Sequence, residues 1–130
     1  MPILVTSLYA ALLAILCMGL AGGVGALRGK KKTISLGDGG DSQLIVANRR
    51  HMNFVEYVPL ALILMALVEL NGGSKTMIHA FGAVLLVARI VHPFGIDVNN
   101  MVKPQRLFGA FATIAVILAE SAVLLWQYFH

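Results

Sequence analysis

Arg49, Asn53 and Glu56 follow one another at intervals of four and three residues inside RRHMNFVEYVP (49–59), the opening of a long apolar run. On a helix this spacing stacks the three side chains on one face, with His51 and Tyr57 flanking it. Ionisable groups in a membrane-spanning run are costly unless paired, and they default to sites that face a bundle interior or a wet cavity. Arg49 alone reaches Glu56 only awkwardly across two turns, so other cations are needed. Arg89 and His92 close one apolar segment, Arg106 opens another, and Arg28 ends the first. Two uses of such a set stand side by side. It is an ion-pair network that fastens helix ends, or it is a polar site held within one leaflet.

The elements that must position these residues follow from composition. Of the 130 residues 58% are hydrophobic and only 12% are charged, with a mean hydropathy of +0.83. This excludes an ordinary soluble domain and points to an integral membrane protein of one domain, residues 1–130. Ten Lys and Arg outnumber six Asp and Glu. They lie between apolar runs rather than on a polar face, so their partner is the membrane surface and not nucleic acid. The single Cys17 rules out a disulfide within the chain and is read as a packing residue.

Four spans are predicted, at about 3–27, 44–70, 76–92 and 106–129. The first carries no charge before Arg28, Lys30, Lys31 and Lys32, and no basic residue precedes it, so it reads as a span rather than a signal peptide. SLGDGGDSQ is turn material with Asp41 or Ser42 as helix cap. NGGSK separates spans two and three, and Pro93 and Pro104 interrupt the helix between spans three and four. Continuous rather than alternating apolar runs exclude β-spans. The fold class is therefore an all-α, integral membrane four-helix bundle.

Basic residues concentrate in the first and third connections, whereas the second has only Lys75. The positive-inside rule then places connections one and three in the cytoplasm and both termini outside. Arg28, Arg49, Glu56, Arg89, His92 and Arg106 all converge on the cytoplasmic leaflet. Glu69, His79 and Glu120 are expected at the opposite interface, and Gly19 and Gly23 at a close helix contact. GDGG lacks the ending of a phosphate loop. No metal-ligand spacing and no Ser/His/Asp arrangement occurs.

The pattern Arg49-x-His51-x-Asn53-x-x-Glu56-Tyr57-x-Pro59, with Arg89-x-x-His92 and Arg106, resembles the MAPEG family (membrane-associated proteins in eicosanoid and glutathione metabolism). SLGDGG before the motif is similar to its small bacterial branch, and the resemblance covers essentially the whole chain. It implies a homotrimer in a bacterial inner membrane that binds glutathione as co-substrate between subunits near the cytoplasmic leaflet. By that resemblance Arg49, Asn53, Glu56 and Tyr57 hold glutathione, and His51, Arg89, His92 and Lys30 belong to the same binding set. The same resemblance makes Arg106 and Arg28 the catalytic candidates, Arg106 as the arginine that stabilises the thiolate, and puts Arg28 or Lys30 where a first-loop base reaches the ligand. No metal is involved.

The residue types suit that ligand. Glutathione carries one ammonium and two carboxylates, to be met by one anion and several cations. A thiol of pKa near 8.5 needs a neighbouring cation to ionise at neutral pH. The membrane face of the same cleft would admit a lipophilic electrophile or lipid from the bilayer. The activity that the resemblance implies is that of a glutathione transferase or peroxidase. The family's best-studied enzymes carry tyrosines at the end of span three or just beyond, where this chain reads HPFGIDV. His92 is a candidate acid/base in their place. A non-catalytic glutathione-binding or structural trimer would keep the same stripe. A small four-span transporter would match in size, although such proteins usually place their essential Glu in span one, which has no acid here.

Overall fold

Residues 2–32 and 34–130 are described by a computed structural model. Four helices follow in order: α1, Leu4–Lys31; α2, Ser42–Leu70; α3, Lys75–Val91; and α4, Pro104–Phe129. Each of the four segments is long and apolar enough to cross a membrane, α3 together with the 3-10 turn His92–Gly95 that prolongs it. No strand occurs among the described residues.

α1 continues one turn past the apolar run, through Arg28, Lys30 and Lys31. Cations are favoured there because they meet the negative end of the helix dipole. Lys32 then closes the helix in the left-handed region, its N–H donating to the Arg28 carbonyl. Three glycines with positive φ, Gly37, Gly39 and Gly40, carry the chain round to α2. Asp41 caps α2, accepting a 3.0 Å bond from the Leu44 N–H, and takes Lys31 Nζ at 2.6 Å. That lysine and the Leu44 N–H hold the Asp41 carboxyl below its ordinary value of 3.8.

Helices α1 and α2 pack as one antiparallel pair, α3 and α4 as another, and α2 also lies along α4. One core layer contains Leu13, Phe54, Val58, Ala61, Leu85 and Val116, and a second contains Val5, Tyr9, Met65, Val68 and Ile78. Close approach depends on glycines the sequence did not single out. A Cβ on Gly82 would lie 2.1 Å from the Tyr9 ring, one on Gly95 2.1 Å from the Arg106 backbone nitrogen, and one on Gly109 2.5 Å from His92 Cβ. The expected contact at Gly19 and Gly23 is absent within the chain, where both have open space. α1 is apolar all round, so small residues on it need not mark the buried side.

The three polar residues expected toward the far end differ in their surroundings. Glu69 is only 9% exposed and folds back onto the start of α1, accepting from the N–H of Val5 at 3.0 Å, the N–H of Thr6 at 2.8 Å and the Thr6 hydroxyl at 2.6 Å. α1 has no side-chain cap of its own, so this carboxylate satisfies amides that the start of the helix leaves open. Glu120 is fully buried, and neither oxygen has a partner among the described residues. His79 is exposed, with the Tyr9 hydroxyl 3.2 Å from its Nδ1.

Candidate functional site

The stripe on α2 is organised around a direct ion pair. Arg49 Nη1 donates to Glu56 Oε1 at 3.1 Å and Nη2 to Oε2 at 2.7 Å. Seven residues of helix rise about 10.5 Å, and an extended Arg and Glu on nearly the same azimuth span it. The awkward reach expected from the spacing is thus a two-pronged bond, with the guanidinium fork matched to both oxygens. Both side chains stay well exposed, at 47% and 42%.

Asn53 lies between them and turns the other way. Its Oδ1 accepts from Arg89 Nη2 at 2.8 Å, joining α2 to α3. Arg89 is completely buried and lies 5.6 Å over the Phe54 ring. His92, one turn on, is 1% exposed and packed against Gly109 of α4, within the field of Arg89, Arg106 and Arg49. Tyr57 is exposed beside the stripe. A small cavity of about 30 Å³ is lined by Asn53, Tyr57, Arg89, Ala110, Thr113 and Ile114.

Arg106 is half-buried in the first turn of α4. Its position is set by Gly95, whose lack of a side chain lets the turn after α3 sit on the Arg106 backbone. Lys103 fixes the same connection through Asp97, Nζ to Oδ2 at 2.7 Å. That bond, with the Asn99 N–H, holds the Asp97 carboxyl below its ordinary value.

The patch therefore consists of two separately bonded groups, Arg49 with Glu56 and Asn53 with Arg89, Tyr57 lining the small cavity beside the second and His92 lying one turn beyond Arg89. Arg28, Lys30 and His51 stand apart in the single chain, joined to the stripe by no bond among the described residues. Arg28 Nη1 approaches the Ile34 carbonyl of its own loop at 3.5 Å, and Lys30 is exposed at the end of α1. Arg50 was missed by the sequence reading: its Nε donates to the Pro93 carbonyl at 2.8 Å. The signal was available, because a proline turn leaves carbonyls without helical donors. Arg50 also lines a separate cavity of about 420 Å³ with Ser42, Gln43 and Asp97. No group of His, Cys, Asp and Glu among the described residues could hold a metal ion.

Chemically, the patch and Arg106 together set three guanidiniums against one carboxylate. Such a site favours an anion that also offers one cationic group.

The chain is similar to "Inner membrane protein YecN" of Escherichia coli strain K12 and of strain O6:H1. Each is 38% identical over 123 residues, which are 95% of this chain and 92% of the relative. The MAPEG family pattern matches residues 6–126, which takes in all four spans and the whole patch. By that match, with its four spans, the chain is a multi-pass membrane protein of the MAPEG family.

Proposed function

We propose that this protein binds glutathione at the cytoplasmic leaflet of the bacterial inner membrane and activates its thiol toward lipophilic electrophiles drawn from the bilayer. The observation that carries the reading is the half-exposed Arg49–Glu56 pair beside exposed Tyr57 on a membrane-spanning helix. Charges held on the face of a span need a wet cleft or a neighbouring subunit to cover them. Assembly of three copies around these faces would supply that cover. It would also bring a first-loop Arg28 or Lys30 to the ligand.

In this reading Glu56 takes the ammonium of glutathione, while Arg49 and a first-loop base take its carboxylates. Asn53 and Tyr57 offer hydrogen bonds, and Arg106 stabilises the thiolate. Ionised glutathione carries two net negative charges, which matches the excess of guanidiniums over carboxylates at the site. The activity would be that of a glutathione transferase or peroxidase serving detoxification.

Calorimetry with glutathione on the detergent-solubilised protein, combined with its oligomeric mass by light scattering, tests the binding. Saturable binding by a trimer is expected, and its absence would sink the proposal. A non-catalytic trimer is the second reading, favoured by Glu56 already having a partner in Arg49. It predicts binding, or assembly alone, with no conjugation of a model electrophile.

A further inference from the structure

Among the described residues Arg89 is the one guanidinium with no exposed surface. Its Nη2 spends one N–H on the neutral Asn53 oxygen, and its other face lies over the Phe54 ring. Nε and Nη1 have no partner among the described residues. No ion pair among the described residues includes Arg89, and Glu120, the buried carboxylate without a partner there, lies seven residues, about two helical turns, beyond Thr113 on α4. Glu56, one turn from Asn53 on α2, has both oxygens engaged by Arg49, and the other ion pairs among the described residues lie in the loops. A buried cation with three donor positions and one neutral acceptor is out of balance in both hydrogen bonds and charge.

The residue lines the small cavity between α2, α3 and α4, together with Asn53, Tyr57 and Thr113. Thr113 gives its hydroxyl proton to the Gly109 carbonyl at 2.7 Å, so it offers only lone pairs. The Tyr57 hydroxyl lines the cavity without a hydrogen-bond partner among the described residues, and it can donate. At about 30 Å³ the cavity admits one water-sized or halide-sized occupant, and it is too small for an organic acid with its carbon chain. Water would accept hydrogen bonds from Nε or Nη1 but bring no charge.

We propose that this cavity is a binding site for a single halide-sized anion, chloride in the cell, held by the Arg89 guanidinium and the Tyr57 hydroxyl. The ion is the counter-charge of Arg89. It keeps the guanidinium turned toward Asn53 and so fixes the back of the α2 stripe. The site shares Tyr57, Asn53 and Arg89 with the residues read as holding glutathione, but the anion needs no bound glutathione.

The test uses the wild-type protein in detergent without glutathione, so a failure of glutathione binding leaves the result intact. Thermal unfolding is followed at constant ionic strength while potassium gluconate is exchanged for chloride or bromide. The midpoint is expected to rise with halide and to saturate. Crystals grown in bromide should show an anomalous peak within about 3.5 Å of Arg89, the reach of a charge-assisted contact to a large anion. Arg89→Gln should lose the halide response. Should that variant not fold, the wild-type titration and the bromide peak still decide. Equal midpoints in gluconate, chloride and bromide, with no anomalous peak at Arg89, would mean that the cavity holds water alone and would overturn the proposal.

Discussion

Exchanging the two charges of the α2 stripe separates a ligand site from a structural clasp. In the double variant Arg49→Glu/Glu56→Arg the pair is retained with its order reversed, on the same exposed face seven residues apart. As a clasp the pair is modest, since exposed ion pairs contribute roughly 0.2–1 kcal/mol. Stability should fall little after the exchange, apart from the less favourable order of charges along the helix. For ligand binding the exchange is severe. The carboxylate that would meet the ammonium moves about 10.5 Å along the helix, and a cation takes its place. Loss of one hydrogen bond to a charged group costs about 1.5–3 kcal/mol, so Glu56→Gln alone should weaken glutathione roughly 10- to 150-fold. The exchange adds repulsion to that loss and should abolish measurable binding. Calorimetry, thermal unfolding and light scattering on wild type, both single variants and the exchange make up the assay. Wild-type affinity in the exchanged protein, with assembly intact, would refute the role of the stripe in holding the ligand.

Arg106→Ala should move the bound thiol toward its free value near 8.5, because removing an adjacent cation disfavours the thiolate; ultraviolet titration of the thiolate and conjugation of a model electrophile read this, with turnover falling more than affinity. Glu69→Ala strips the start of α1 of a carboxylate that accepts three hydrogen bonds. A loss of about 2–4 kcal/mol is expected from charged hydrogen bonds and orphaned buried donors, measured by unfolding in mixed micelles; wild-type stability would contradict the cap. Asp41 and Asp97 are held below their ordinary values, so their support is present above pH about 3.8 and is lost as acid protonates them. Hydrogen exchange at the start of α2 and in the 96–103 connection should therefore quicken as the pH falls through the folded-state values, and unchanged protection would count against both pairs. Export-dependent reporters fused after Lys75 and at His130 should both be active if connections one and three are cytoplasmic.

The lengths of the spans, the Asp41 cap and the proline-marked turn could be read from the chain, because each is a local property of apolar length or turn chemistry. What faced what could not. In a bilayer both the packed and the lipid side of a helix are apolar, so periodicity does not reveal rotation. That is why Gly19 and Gly23 looked like contacts while Gly82, Gly95 and Gly109 make them. Distance along the helix placed Glu69 and Glu120 toward one end, yet each is turned inward by the pairing of α2 with α1 and of α4 with α3. The candidate site was legible as a set of residues on α2, α3 and α4. Its internal wiring was not, because it depends on side-chain reach: Arg49 bridges two turns to Glu56, which leaves Arg89 to Asn53 and Arg50 to Pro93.

The Glu69 cap bears on biogenesis. The first amides of α1 leave the ribosome long before residue 69, whose carboxylate receives them 63 and 64 positions later. In hydrocarbon those N–H groups have no water to fall back on. The start of span one must therefore wait at the aqueous surface or in the translocon until span two has been threaded through. Spans one and two are completed together, as an inserted hairpin latched at its open end.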